Sequence, residues 1–359
     1  MLKFIIKRLL YGILVLIGVI TIVFFLFNVL PGDPARMMLG QRADVASIEA
    51  INKELGRDQP IVTQFFMYMN DISPLSFHNP ADADDPFYLD NSRYSNVTRI
   101  VQFSDKSIVV AKEPYLRRSY QTKQDVTEVL MDALPGTAVL AFAAMLIAAI
   151  IGIVLGVVAA LKKNTFTDHA AMVFAVMGMS VPSFFAGIII AWAFGYLWSD
   201  YTGLNMTGSL YRIDPFEGEI LELKNLILPA IVLGLRPLSI IVQLTRSSML
   251  DVLSRDYIRT AKSKGLSANT IIYKHALKNA LNPVLTAMSG WFGSLLAGAV
   301  FVEYIFGWKG IGKLTVDALE RYDFPVVMGA VLVVAAIFVV INIITDILYG
   351  FLDPRVRLG

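Results

Sequence analysis

Long apolar runs separated by short polar stretches set the pattern of this chain. A hydrocarbon core of roughly 30 Å takes about 20 predominantly apolar residues of helix. Six windows meet that requirement, running approximately from Ile5 to Leu30, Ala133 to Leu161, Ala170 to Trp198, Leu226 to Leu244, Pro283 to Phe306 and Val326 to Leu348. Gly152, Gly156, Pro182, Pro237 and Gly298 inside them are ordinary for packed membrane helices, in which small residues let backbones approach. The first window follows Lys3, Lys7 and Arg8 and ends in NVLPGDPA. Its apolar run exceeds the ~7 to 15 residues of a signal-peptide core and no small-x-small cleavage pattern follows, so it reads as an uncleaved anchor. The pattern predicts an all-α membrane protein with six transmembrane helices.

The polar stretches orient these helices. Lysine and arginine gather beside alternate window ends: Lys3, Lys7 and Arg8; then Lys162 and Lys163; then Arg246, Arg255, Arg259, Lys262, Lys264, Lys274 and Lys278; then Arg355 and Arg357. The loop SDYTGLNMTGSLYRIDPFEGEILELKN on the other side is net acidic. By the positive-inside rule both termini are expected in the cytoplasm. Residues 31–132 then form one long extracytoplasmic segment. VASIEAINKELG reads as a helix ended by Gly56, and the stretch near 76–114 alternates in TRIVQF and SIVVA, which predicts a small strand-containing insert.

Composition agrees with a membrane location. The 359 residues are 56% hydrophobic and 17% charged, which a water-soluble globule of this size could hardly carry. A net charge of +2 is too small to point to nucleic acid. With no cysteine, disulfides, thiolate metal sites and cysteine nucleophiles are excluded. The histidines, His78, His169 and His275, are far apart and outside the windows, so neither a metal cluster nor a proton relay is indicated.

Between the fourth and fifth windows lies DYIRTAKSKGLSANTIIYKHALKNALNP, residues 256–283. From Tyr273, the apolar residues Ala276, Leu277, Ala280 and Leu281 follow at i+3, i+4, i+7 and i+8, which predicts one apolar helical face with Lys274, His275 and Lys278 away from it. Ser267 suits an N-cap and Gly265 a left-handed C′ position, so two helices are expected to meet at a tight corner. Pro283 is expected to end the second helix or start the fifth span. Periodicity leaves two roles open, a helix pair lying on the lipid interface or a docking element for a partner protein.

The order of residues in DYIRTAKSKGL and HALKNALNP resembles the cytoplasmic EAA loop of ABC-importer permeases, in the form carried by the dipeptide, oligopeptide and nickel group. NVLPGDPA, KELGRDQPIVTQF, LRRSY, LPGTAVLAF, LTRSSMLDVL and FVEYIFGWKGIGKLTVDAL with DFPVVMGAV resemble further segments of that group, in its order and over most of the chain. Where the general pattern has Glu-Ala-Ala before the glycine this chain has Arg259, Thr260 and Ala261, and the later Ile-x-Leu-Pro is HALK, residues 275–278. Both variants are usual in the peptide group. The insert near 76–114 has no counterpart in the typical pattern.

The resemblance implies a type I ABC-importer permease fold in a bacterial cytoplasmic (inner) membrane: a first helix over 1–30, an extracytoplasmic segment over 31–132, a permease core over 133–351 and a cytoplasmic tail over 352–359. It implies a transport subunit without catalytic residues, metal or cofactor. The expected partners are a second homologous permease, two cytoplasmic ATPase subunits, an extracytoplasmic substrate-binding protein and membrane lipid. It also implies that the loop is the coupling helix docking on the ATPase, with Arg259, Ala261, Gly265, Leu266 and His275 at motif positions. There Gly265 would permit the corner and Ala261 would leave room for the partner, while the basic residues would steer the encounter. Peptides are the expected cargo, with nickel or another small solute as the alternative.

Two features are weighed separately. GWKGIGKLT carries Gly307, Gly312 and Lys313 at phosphate-loop spacing, but Leu314 stands where the magnesium-binding hydroxyl belongs and no strand precedes it, so nucleotide binding there is rejected. Arg236 lies mid-window, at a cost of roughly 2.5 to 3.5 kcal/mol. It either caps carbonyls or pairs with an acid such as Glu303 or Asp346, or it faces the pathway, where it would meet a peptide's carboxylate. An intramembrane enzyme would need convergent polar groups within the spans, whereas GDPA at Gly32 to Ala35 stands alone. An ion-driven transporter would show inverted repeats and broken helices, which the sequence does not display.

Overall fold

The computed structural model describes residues 2–29, 52, 56–83, 85–90 and 93–352. The readings of GDPA, of most of the helix expected in VASIEAINKELG, and of the tail beyond Leu352 fall outside these residues. Among the described residues, four helices are long and apolar enough to cross a membrane, and two bent helix pairs raise the number to six if each pair is one span. The chain divides into two compact units, one of Met1–Leu9, Ala133–Leu314 and Ile337–Gly359, the other of Leu10–Asp132 and Thr315–Ala336.

In chain order, α1 is Leu2–Val29, α2 Ile61–Ile72, β1 Leu75–His78, β2 Thr98–Ser104, β3 Ser107–Ala111, α3 Val126–Leu161, α4 Phe166–Ser180 and α5 Ser183–Trp192. A π turn over Ala193–Leu197 follows, then the hairpin strands β4 Tyr211–Asp214 and β5 Gly218–Leu221. Next come α6 Lys224–Leu253, α7 Asp256–Ser263, a π-helical segment Thr270–Leu277, α8 Lys278–Gly298, α9 Val300–Phe306, α10 Ile311–Glu320 and α11 Phe324–Leu352. The helical expectation holds, β1–β3 form the small sheet expected near 76–114, and the β4–β5 hairpin is added to it.

In the first unit α6 is the central helix. Its most apolar window is 67% buried, against 22% to 39% for the other three long spans. Leu228, Val232, Leu233, Leu238 and Ile241 of α6 pack with Leu140, Ala144 and Ala148 of α3, Val284 and Leu295 of α8, and Phe306 and Trp308. The third expected span is not one straight helix, since α4 and α5 meet at 107°. Pro182 has no N–H to continue the ladder and disfavours helical backbone at the residue before it; Val181 is accordingly extended. A second bend of 57° separates α8 from α9. Broken helices, which hydropathy does not reveal, are therefore present.

In the second unit Val23 and Phe24 of α1 pack against Tyr68 of α2 and Met328 and Leu332 of α11. The sheet has the order β1-β3-β2, antiparallel throughout. The runs TRIVQF and SIVVA form β2 and β3, and β3 alternates so that Ile108 and Val110 are buried. Asp71, in the last turn of α2, gathers polar groups of this unit: Tyr94 Oη donates to its Oδ1 at 2.8 Å, Arg117 lies 3.4 Å from Oδ2, and Lys112 Nζ donates to its backbone carbonyl. Lys112 is almost fully buried, over the ring of Tyr94. Burial pushes its ammonium down to about 8, against the opposing pull of Asp71.

Candidate functional site: the loop from Asp256 to Lys278

The loop is built by α7 and the π-helical segment that leads into α8. Helix α7 closes in a Schellman motif: the N–H of Gly265 donates to Lys262 O at 3.0 Å and that of Leu266 to Ala261 O at 3.4 Å. Gly265 sits at φ +74°, with nothing within 4 Å of where a Cβ would stand, so its need is conformational and not steric. Ser267 then starts the second helix, its Oγ accepting the N–H of Thr270 at 3.4 Å. The corner expected at Gly265 and Ser267 is therefore observed.

Two expectations about the loop are corrected. The second helix neither ends nor starts at Pro283, which lies inside α8. Nor does Tyr273 belong to the apolar face, being 64% exposed. The segment bonds i to i+5, which advances the phase by one residue, so Ile271 faces inward in place of Tyr273, together with Ala276 and Ala280 as expected. These three pack with Ile258 and Ala261 of α7, Val157 and Ala160 of α3, and Met249 and Val252 of α6. Ala261 is thus buried in its own chain. Its small side chain lets α7 lie close on this core and does not leave room outside.

The outer surface has a different chemistry. Arg259, Lys262, Lys264, Gly265 and Leu266 are all exposed, a basic rim around one apolar side chain. Arg259 lies 3.6 Å from Asp256, and both are solvated. His275 is half-buried on the second helix. Asn279 Nδ2 donates to Tyr257 Oη at 2.9 Å and ties α8 back to α7. Sequence reasoning missed that bridge, because nothing local relates residues 22 positions apart. Arg246, counted among the loop's cations, is turned inward onto Asp168, to which its Nε and Nη2 both donate.

Arg236 lies on α6, twelve residues beyond Lys224, or about 18 Å along the helix. Its side chain is exposed, and it makes no hydrogen bond or ion pair among the described residues. Both acids considered as partners are engaged elsewhere. Asp346 is 3.1 Å from Arg8. Glu303, fully buried, accepts Thr137 Oγ1 at 2.7 Å and the N–H of Lys313 at 3.0 Å.

That arrangement also accounts for the phosphate-loop lookalike. The carboxyl group of Glu303 sits at the N-terminus of α10, where it accepts the first-turn N–H of Lys313, and a Cβ on Gly310 would collide with it. Thr137 Oγ1 accepts the N–H of Ile311, and Trp308 Nε1 donates to Gly136 O, both at 2.9 Å. The segments LPGTAVLAF and FVEYIFGWKGIGKLT thus meet each other around the buried carboxyl group of Glu303.

Comparison with known proteins follows this geometry. Residues 152–358 match the family described as binding-protein-dependent transport system inner membrane component, and residues 1–86 match the N-terminal part described for the same systems. The chain is 36% identical to the di/tripeptide transport system permease protein DppB of Pseudomonas aeruginosa (strain UCBPP-PA14), over 99% of both chains. It is 36% identical to the dipeptide transport system permease protein DppB of Alkalihalophilus pseudofirmus, over 99% of this chain and 100% of that one. It is 33% identical to the glutathione transport system permease protein GsiC of Salmonella choleraesuis, over 99% of both.

Proposed function

The chain belongs to the family of binding-protein-dependent transport system inner membrane components, and from that premise we propose that it forms half of the translocation pathway of an ATP-driven importer for di- or oligopeptides. It is a multi-pass membrane protein and a transport subunit of an ABC importer, with ATP hydrolysis on a separate chain. The observation that carries the peptide reading is the full-length similarity to permeases named for dipeptides and di/tripeptides.

In this reading the chain pairs with a second permease, above two ATPase subunits and below a substrate-binding protein. Both termini and the Asp256 to Lys278 loop face the cytoplasm, and the β1–β3 lobe faces the opposite side. The exposed rim of Arg259, Lys262 and Lys264 around Leu266 docks on the ATPase, while Ala261, Ile258 and Ile271 hold the loop rigidly to α3 and α6. A moving ATPase then moves the spans through that core. Coupling requires only that ATP bind the two states of the complex with different affinity. Arg236 faces the pathway.

The experiment is to purify the complex with its binding protein and identify the bound cargo by mass spectrometry. Di- or oligopeptides are expected in the binding protein. Nickel or another non-peptide solute, with no peptide, would overturn the cargo while leaving the importer class intact.

A further inference from the structure

The exposed faces of the membrane helices differ in kind. On α3 the exposed positions Phe142, Leu146, Ile150 and Val154 recur every fourth residue and are all apolar, as a lipid-facing stripe is. On α8 the same spacing selects Asn282, Thr286, Gly290 and Ser294, of which Asn282, Gly290 and Ser294 are exposed and Thr286 half-buried. Leu285 and Pro283 are exposed beside them. On α6 the exposed positions below Ile227 are Arg236, Ser247 and Asp251, with half-buried Gln243 between them. Helices α6 and α8 pack side by side.

Polar groups in a span are tolerated where they meet protein or line water. The hydroxyls of Thr286 and Ser289 donate to their own helix, at Asn282 O and Leu285 O, which leaves their lone pairs available. Arg236 is the sole charged residue between Lys224 and Arg246, and α8 carries none after Lys278. A wall of this composition offers one strong, fixed attraction for an anion and otherwise small neutral hydrogen-bonding groups.

We propose that the exposed faces of α6 and α8 form the water-filled wall of the pathway, in which Arg236 takes the terminal carboxylate of a passing peptide and the neutral residues contact its backbone. This rests on the peptide-importer reading above and deepens it. A carboxylate is common to every peptide and a guanidinium binds it with two parallel bonds, so such a wall selects for the free terminus and tolerates varied side chains.

The chain contains no cysteine, so single cysteines can be introduced without a background. In the complete importer in membrane vesicles, Ser247→Cys, Asn282→Cys and Ser294→Cys are treated with a charged, membrane-impermeant thiol reagent, resting and with ATP. At least two are expected to react about tenfold or more faster than Ile150→Cys in one of those states. Rates as slow as that of Ile150→Cys in both states would overturn the wall.

In the same vesicles, uptake of alanyl-alanine and of its C-terminal amide is measured for wild type, Arg236→Gln and Arg236→Lys. Loss of a charge-assisted bond corresponds to roughly tenfold or more. Arg236→Gln should therefore lose about that factor for the free dipeptide and little for the amide, with Arg236→Lys between. Equal loss for both substrates with a co-purifying complex, or no loss for either, would overturn the carboxylate contact. Wild-type vesicles that import neither substrate while the cysteines still react would sink the peptide reading and leave the wall standing.

Discussion

At Gly265 the structure separates two reasons for a glycine that the sequence merges. No neighbour crowds the position, but its left-handed backbone is one that a β-branched side chain resists. Gly265→Val is therefore expected to leave the core of the loop packed while disturbing the path from Ala261 to Ser267, at a cost of about 1 to 2 kcal/mol. With the complex still assembled, ATP hydrolysis should proceed with peptide uptake lowered several-fold. Measured ratios of uptake to hydrolysis equal to wild type would return the loop to a passive place on the membrane surface. Glu303 and Arg236 make a complementary pair of lessons. Both are charges that hydropathy places inside apolar windows, and pairing them is the simple expectation. Glu303 is instead satisfied by Thr137 and the α10 N-terminus, and Arg236 is left exposed without a partner among the described residues.

Among the elements, the β1–β3 lobe carries a pH dependence whose sign follows from burial. The Lys112 ammonium titrates near 8 when folded, below about 10.4 for an unfolded lysine. Between those values the unfolded chain binds the extra proton, so stability of the lobe rises with pH. His78 is also pushed down, by burial foremost and against a bond to the Phe87 carbonyl, so its contribution is lost as pH falls below about 6.5. The tyrosines Tyr68, Tyr94, Tyr115 and Tyr120 are pushed up, chiefly by burial, and stability falls again above about pH 10. Amide exchange in β1–β3, corrected for its intrinsic pH dependence, should show protection climbing from pH 8 to 10 in wild type and flattening in Lys112→Met. Protection that falls across that window in wild type, or climbs unchanged in the variant, would contradict the assignment. None of this was legible beforehand, since TRIVQF and SIVVA announce strands by their alternation but nothing in the sequence announces that Tyr94, Lys112 and Arg117 gather at Asp71. The same boundary holds for helices. Apolar length revealed the spans, whereas the 107° bend at Pro182 and the phase change over Thr270–Leu277 depend on backbone hydrogen bonding that hydropathy does not encode.

For the whole molecule, the family was legible because its segments are contact partners as well as sequence signatures. LPGTAVLAF meets FVEYIFGWKGIGKLT around Glu303, and LRRSY meets DFPVV where Ser119 Oγ and the Tyr120 N–H donate to Asp323. The central claim is that this chain converts ATP hydrolysis on another subunit into peptide import. Its most direct test is uptake of a labelled dipeptide into proteoliposomes holding this chain, its second permease and the ATPase subunits, with binding protein added outside and ATP inside. The account predicts uptake that requires both ATP and the binding protein. Uptake that proceeds without ATP on an ion gradient alone would contradict it.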